Sequence, residues 1–225
     1  MPFSAESFDA MSTVGGTSFS TPFYKVSTTM HSTRRLFSFL ALMFAVAGSV
    51  SSIVEAAGPN AAPQVLLATS AGDMVIELMP EKSPKSVKNF LDYVKSGQYS
   101  GTIFHRVIDG FMIQGGGFNE NMQQKPTQPP VVNEAKNGVK NTMYSVSMAR
   151  TSNPDSATAQ FFINVADNAG LDYPQPDGAG YAVFGKVIKG TEVVDRIKSV
   201  ATGSRGPNQN VPLKPIVIQS AKILP

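Results

Sequence analysis

Residues 104–116 read Phe-His-Arg-Val-Ile-Asp-Gly-Phe-Met-Ile-Gln-Gly-Gly, and they are the most informative stretch of the chain. Their apolar and β-branched residues belong to two strand candidates, 102–108 and 111–114, on either side of an Asp-Gly pair. The glycine run at the end does not have the form of a phosphate-binding loop, because no Lys-Ser or Lys-Thr pair follows it and no helix begins there. We therefore expect two short strands that carry Arg106 and Gln114.

Outward from this stretch, six further β-rich runs lie between residue 64 and the C-terminus. These strand candidates are 65–69, 74–78, 145–149, 160–164, 181–187 and 216–224. A Ser-Ala-Gly-Asp turn between the first two suggests a hairpin. Segments rich in glycine and proline, notably 119–130 and 172–180, separate the later runs. Many short strands with only two helical patterns favour a sheet closed into a barrel.

The first helical pattern follows residue 83. Ser83 is a plausible N-cap, and Pro84 suits the first helical position, where its missing N–H costs nothing. Gly97 supplies a C-terminal stop, and the apolar residues between recur at helical spacing: Val87, Phe90, Leu91 and Val94. A shorter helix is expected from about Thr191, with three residues facing the core: Val193, Val194 and Ile197.

Composition narrows the possible chemistry. The chain has 225 residues, of which 42% are apolar and 16% charged, with a net charge of +3 and no cysteine. The lack of cysteine excludes a thiolate nucleophile and a thiolate metal site. His105 is the only histidine after residue 31, so no metal ion and no cofactor are expected. The basic residues are scattered, which argues against nucleic-acid binding.

The first sixty residues have the character of a targeting segment. A basic pair at 34–35 precedes an uncharged, mostly apolar run at 36–50, and small residues offer cleavage after Ala56 or Ala57. The apolar run has about fifteen residues. This is short of the ~20 that span a bilayer as a helix, so stable membrane insertion after signal removal is the less favoured interpretation.

We predict that residues 1–57 are an N-terminal extension and signal peptide outside the fold, and that 60–225 form the folded domain. The expected location is periplasmic or secreted. Translation starting at Met30, twin-arginine export through 33–37 and an organellar transit peptide are alternatives that the sequence leaves open.

The segments that follow residues 104–116 occur in a distinctive order. They are Ser147-Met-Ala-Arg, Ala159-Gln-Phe-Phe-Ile-Asn, Leu171-Asp and Tyr181-Ala-Val-Phe-Gly-Lys-Val. With them the chain resembles the cyclophilin family of peptidyl-prolyl cis/trans isomerases, and its bacterial exported branch more than the eukaryotic one. The resemblance runs from about residue 65 to 224. It implies a closed eight-stranded antiparallel β-barrel capped by two α-helices.

The resemblance also implies a site on the outside of the barrel. Arg106 matches the catalytic arginine of the family, with Gln114 positioned to hold it. The residues matching the apolar pocket for the proline ring are Phe111, Met112, Phe162 and Leu171. The residues matching the rest of the groove are Ala149, Arg150, Gln160 and Tyr181. The implied partners are proline-containing unfolded or partly folded polypeptides, bound by a monomer. Outside this motif order, Arg106 would be read as a solvated surface charge and the apolar residues as ordinary core.

Three positions depart from the familiar eukaryotic pattern: Gly170, Tyr181 and Arg150. Gly170 stands where many members have tryptophan, and the missing ring helps to bind cyclosporin, so we predict weak inhibition by that drug. Two alternatives to catalysis use the same fold. One is a non-catalytic module that binds proline-containing segments, and the other is an envelope chaperone in which isomerisation is incidental.

Overall fold

Eight short strands hydrogen-bond in a closed ring in the computed structural model, which describes residues 62–225. Residues 62–225 contain ten strands, eight in this ring and two, β8 and β9, outside it. In chain order they are β1 (Gln64–Thr69), β2 (Gly72–Leu78), β3 (Thr102–Ile108), β4 (Met112–Asn119), β5 (Ser145–Met148), β6 (Phe161–Asn164), β7 (Val183–Lys189), β8 (Thr202–Arg205), β9 (Asn208–Pro212) and β10 (Val217–Ile223). The ring order is β1, β10, β3, β4, β6, β5, β7 and β2, and each neighbouring pair is antiparallel. The expected eight-stranded barrel is confirmed.

Two helices pack against the barrel, as expected. Helix α1 (Pro84–Lys95) lies against β7 and β10, and helix α2 (Thr191–Lys198) lies against β2, β3 and β4. The apolar residues expected to face the core from α2 are all buried. None of the helices among residues 62–225 is long and apolar enough to cross a membrane.

The barrel interior is filled by alternate strand residues and by an aromatic cluster. Phe90 of α1 contacts three rings: Tyr99 and Phe184, each at 5.1 Å between centroids, and Phe161 at 5.6 Å. Such pairs stabilise by about 0.5–1.5 kcal/mol each beyond the area they bury. The packed interior holds the strands rigidly, so side chains on the outside of the barrel keep fixed relative positions.

The start of α1 is capped differently from the expectation. Ser83 occupies the N-cap position, but its hydroxyl donates to the carbonyl oxygen of Val183 at 2.6 Å. The N–H groups of Lys85 and Ser86 instead donate to the Glu134 carboxylate, at 3.1 and 2.8 Å. A carboxylate at this end also complements the helix dipole. The cap therefore comes from a residue remote in sequence.

Strand β4 is longer than the predicted 111–114, because it continues through a run of three glycines. Because glycine has a low strand propensity, the sequence predicted that the strand ends at residue 114, before the glycines. Here its small size is required: a Cβ on Gly115 would lie 3.0 Å from the Phe104 ring, and one on Gly117 would lie 2.5 Å from Gln160 Cγ. The glycines thus let side chains of neighbouring segments lie against the strand.

Strands β8 and β9 were not predicted. They form a separate two-stranded hairpin outside the barrel, and β9 contacts β3. Most of their residues are exposed or half-buried, so the hairpin has no apolar face that would give a period of two. The predicted signal peptide lies outside the described residues.

Candidate active site

Three neighbouring strands carry the central row of the site. Arg106 on β3 pairs with Gln114 on β4, and Gln114 pairs with Phe162 on β6. Directly paired residues of neighbouring strands project to the same face of a sheet. The strand register therefore brings a guanidinium, an amide and an aromatic ring side by side on the outside of the barrel.

An irregularity in β3 turns Arg106 outward. Phe104 pairs with Gly115 and Arg106 pairs with Gln114, so two steps along β3 correspond to one step along β4. A bulge of this kind re-aims side chains that would otherwise share a face. Phe104 is fully buried in the core, whereas Arg106 is only half-buried and lines the groove.

Nine of the ten predicted site residues line one small cavity of about 100 Å³. They are Arg106, Phe111, Met112, Gln114, Ala149, Arg150, Phe162, Leu171 and Tyr181. The tenth, Gln160, lies beside them and accepts a hydrogen bond from Gln114 Nε2 at 2.9 Å. Folding thus gathers residues from five separate segments of the chain, as expected from the motif order.

A short polar chain leads from the guanidinium along the groove. Arg106 Nη1 donates to Gln114 Oε1 at 3.4 Å, and Gln114 in turn donates to Gln160. The absence of a side chain at Gly117 makes room for Gln160. Gln114 therefore has its oxygen facing the arginine and its NH₂ group engaged elsewhere, which orients it as an acceptor for Arg106.

The apolar part of the cavity is preformed. Met112 and Phe162 are 2% and 4% exposed, and the Phe162 ring meets the Tyr181 ring edge to face at 5.7 Å. Asn168 Nδ2 donates to the carbonyl oxygen of Phe111 at 2.8 Å and so ties the β3–β4 turn to the segment after β6. The pocket that would receive an apolar ring is held by the surrounding chain.

Arg150, which was expected to line the groove, is bound on several sides by other residues of the chain. Its side chain is only 3% exposed, and its guanidinium donates to the carbonyl oxygens of Gly180 and Thr151 and to the Asp177 carboxylate. Its central carbon also lies 4.2 Å from the centroid of the Tyr181 ring. The Arg150 side chain is part of the cavity wall, and its guanidinium is held by these partners.

His105 is a packing residue. It is 6% exposed, and its ring lies 4.7 Å from that of Phe118 between centroids. Burial lowers the pKa of His105 to about 4, against the effect of a hydrogen bond with the backbone of Ile103 and together with the nearby charge of Arg106. The imidazole is therefore neutral at physiological pH.

Gly170 leaves one side of the cavity uncovered. It lies in the short 3-10 helix Ala169–Leu171, next to Leu171, and a Cβ built on it meets no atom within 4 Å. The residue is exposed. A larger side chain would therefore find open space at the edge of the pocket.

Two larger openings adjoin the cavity and were not predicted. One, of about 330 Å³, is bordered by polar loop residues such as Thr127, Ser156 and Thr158. The other, of about 560 Å³, is bordered by the tip of the β8–β9 hairpin. Single polar residues in loops have no periodicity, so no sequence pattern pointed to them. Among residues 62–225, no group of three or more His, Cys, Asp or Glu side chains could hold a metal ion.

Comparison with known proteins identifies the family. Residues 64–223 match the model of the cyclophilin type peptidyl-prolyl cis-trans isomerase family. The chain is 61% identical over 176 residues to peptidyl-prolyl cis-trans isomerase A of Dickeya dadantii, covering 78% of this chain and 92% of the relative. It is 54% identical over 157 residues to peptidyl-prolyl cis-trans isomerase B of Escherichia coli, covering 69% and 96% of the two chains.

Solved structures agree with this assignment. A crystal structure of a cyclophilin type peptidyl-prolyl cis-trans isomerase of Cryptosporidium parvum superposes with a TM-score of 0.60 at 28% identity, covering 73% of this chain and 98% of the other. A second structure of that protein was solved in the presence of the dipeptide Ala-Pro, with the same TM-score and identity and with 72% and 99% of the chains covered. This chain belongs to the cyclophilin family of peptidyl-prolyl cis-trans isomerases.

Proposed function

We propose that this chain assists the folding of exported proteins by accelerating rotation about their X-Pro bonds, with Arg106 acting on the reacting amide. The observation that carries the proposal is the juxtaposition of the Arg106 guanidinium with a preformed apolar pocket of about 100 Å³. The pocket suits a proline ring, and the guanidinium borders the same cavity, where it would face the nitrogen of a bound ring.

The reaction requires no nucleophile. Amide resonance gives the peptide bond a rotation barrier of ~18–20 kcal/mol. A rate of roughly 10³ per second corresponds to a barrier of about 13 kcal/mol. The enzyme must therefore bind the twisted amide more tightly than the planar one by roughly 5–7 kcal/mol.

Arg106 has the chemistry to supply much of this difference. In the twisted state the prolyl nitrogen is no longer conjugated and becomes a hydrogen-bond acceptor. A guanidinium is permanently charged and rigid, so it binds such an acceptor more strongly than the planar ground state. Within residues 62–225 the Arg106 side chain makes one hydrogen bond, the long one to Gln114, which leaves most of its donors for substrate.

The apolar residues have a separate task. Phe111, Met112, Phe162 and Leu171 would hold the proline ring still while the preceding carbonyl group swings. Ala149 and Gln160, at the far side of Gln114, would contact the substrate main chain. The Cryptosporidium relative solved in the presence of Ala-Pro supports a proline-containing peptide as the ligand.

The cellular setting is part of the proposal. The basic pair and apolar run before residue 57 support export, with the chain then working in the periplasm or outside the cell. Its partners would be unfolded or partly folded polypeptides that contain proline. We propose that the exported form acts as a monomer, without nucleic acid and without stable membrane insertion.

The rate of cis/trans exchange in a four-residue X-Pro peptide tests the chemistry. Arg106→Ala should lower the rate by about 10²–10³, the loss typical of removing one preorganised donor. Arg106→Lys should recover only part of it, because an ammonium lacks the planar fork. Arg196→Ala is the matched control, since Arg196 lies on α2 and bonds to Ala71.

The same variants separate the alternatives. Rapid exchange that survives Arg106→Ala would remove the arginine from the mechanism. A folded chain that does not accelerate exchange at all would leave a module that binds proline-containing segments. Suppression of aggregation of an unfolded protein that persists in Arg106→Ala would support the chaperone alternative.

A further inference from the structure

The opening of about 560 Å³ next to the active site has a defined construction. The tip of the β8–β9 hairpin forms one wall, and β3 and β4 form the other. Arg205 Nη1 donates to the carbonyl oxygen of Glu120 at 2.6 Å, which ties the hairpin to the end of β4. The hairpin is thus held beside the groove, and the opening has the size of ligand sites in general, roughly 300–1,000 Å³.

The opening is continuous with the proposed catalytic cavity. Arg106 and Gln114 border both spaces. A chain whose X-Pro bond lies at Arg106 would therefore have its neighbouring residues between the hairpin and β3. Successive residues of an extended chain advance by about 3.3–3.6 Å, so a few residues are enough to reach the hairpin tip.

Apart from Arg106 and Arg150, the residues that line this opening are uncharged, and most of them have side-chain amides. The side chains that matter are His105, Phe118, Gln160, Asn208, Gln209 and Asn210. The neutral His105 imidazole and the Phe118 ring form an uncharged pair of rings, tilted by 57° to each other. The side-chain amide groups of Asn208, Gln209 and Asn210, which line the opening, make no hydrogen bond to any other residue within 62–225.

Amide side chains offer both donors and acceptors, as does a peptide main chain. An arrangement with several unengaged amides and no carboxylate favours recognition of the main chain over recognition of charged side chains. It also suits an enzyme that must accept many sequences. Gln160 adds to the set, because within 62–225 only its oxygen is engaged, by Gln114.

Resting on the proposed function, we propose that this hairpin groove binds the main chain of the substrate segment next to the X-Pro bond. The hairpin then makes the enzyme prefer extended, unfolded polypeptide over short peptides, with little dependence on the flanking side chains. The substrate class is a flexible segment with at least about four residues beyond the reacting bond, of any uncharged sequence.

Peptides of two lengths and one triple variant test the groove. The short peptide is Ala-Ala-Pro-Ala, and the long ones add Ala-Ser-Ala-Ser before or after it. The variant combines Asn208→Ala, Gln209→Ala and Asn210→Gly. Glycine is chosen at 210 because this residue has φ of 59°, a conformation that glycine keeps without strain.

We expect the unmodified chain to give a kcat/KM about three- to tenfold higher for one long peptide than for the short one. In the triple variant this advantage should disappear while the short peptide keeps its rate. Methylating the amide nitrogens of the added residues should also abolish the advantage, because it removes main-chain donors. Gln219→Ala, an exposed glutamine on β10, should change neither rate.

Equal rates for short and long peptides, or an equal fall for both in the variant, would overturn the groove proposal and leave the isomerase proposal intact. If the triple variant does not fold, as judged by its thermal midpoint, Gln209→Ala alone replaces it, since Gln209 is exposed. If the unmodified chain isomerises neither peptide, the proposed function fails. Calorimetric titration with a long peptide then tests the groove proposal separately. Weaker binding by the variant than by the unmodified chain supports the proposal, and equal binding refutes it.

Discussion

Arg150 connects three parts of the site through one side chain. Its guanidinium bonds to the main chain at Thr151 and Gly180 and lies over the Tyr181 ring. A planar group with five donors can satisfy these partners together, whereas a lysine cannot. Since Tyr181 packs on Phe162, the position of the pocket wall depends on Arg150.

We therefore expect Arg150→Lys to raise KM for a proline peptide about three- to tenfold with kcat changed less than twofold. Arg106→Ala, in contrast, should mainly lower kcat. The near-ultraviolet circular dichroism of the tyrosines should change in Arg150→Lys as Tyr181 loses its contact. Asp177→Asn is the control, because it removes only the charge of the exposed partner and leaves the bonds to Gly180. An unchanged KM in Arg150→Lys would contradict this positioning role.

At the scale of elements, the segment between β6 and β7 delivers two residues to the cavity. Leu171 is the last residue of the 3-10 helix, and its N–H donates to the carbonyl oxygen of Asn168 at 2.9 Å. The N–H of Tyr181 in turn donates to the carbonyl oxygen of Leu171 at 2.9 Å. The segment is therefore fixed at both residues while Gly170 between β6 and Leu171 faces open space. Its main-chain conformation does not require glycine, since its φ is not positive.

Gly170→Trp should consequently fold with a stability within about 1 kcal/mol of the unmodified chain. The added ring would cover the exposed edge of the pocket and increase buried area for a bound ligand. We expect inhibition by cyclosporin to be weak in the unmodified chain and at least tenfold stronger in the variant. Submicromolar inhibition of the unmodified chain would refute the prediction. Gly117→Ala is the contrasting variant, because its Cβ would collide with Gln160 and should lower activity.

At the scale of the whole molecule, a buried neutral imidazole links stability to pH. The pKa of His105 falls from 6.5 to about 4 on burial. Protonation therefore favours the unfolded chain, and the contribution of His105 to stability is present above pH 6.5 and lost as the pH falls to about 4. A shift of one unit corresponds to 1.36 kcal/mol, so the loss is at most about 3.4 kcal/mol.

Urea unfolding at pH 7, 5.5 and 4 measures this loss. We expect a steady fall in the free energy of unfolding across this range, and a flatter dependence in His105→Gln. The hydrogen bond from Lys198 lowers the pKa of the Asp195 carboxyl, so the stability that this group contributes is lost only under more acidic conditions. A free energy of unfolding that is constant between pH 7 and 4.5 would contradict the assignment.

The sequence by itself determined the barrel strands, both helices and which residues come together at the groove. The barrel strands are recognisable as short β-rich runs: residues of β1 alternate between half-buried and buried, whereas β5 and β6 are buried throughout. The segments containing Arg106, Gln114 and Phe162 occur in the order typical of the family. Only the tertiary structure decided how these residues function together. Three features depend on contacts between residues that meet only after the barrel closes. They are the capping of α1 by Glu134, the outward orientation of Arg106 and the bonds that hold Arg150. The β8–β9 hairpin was missed for the related reason that it buries almost no apolar face. The periodicity of apolar residues in the sequence predicts which face of a single helix or strand is buried. The site depends instead on the register between strands and on contacts between distant segments.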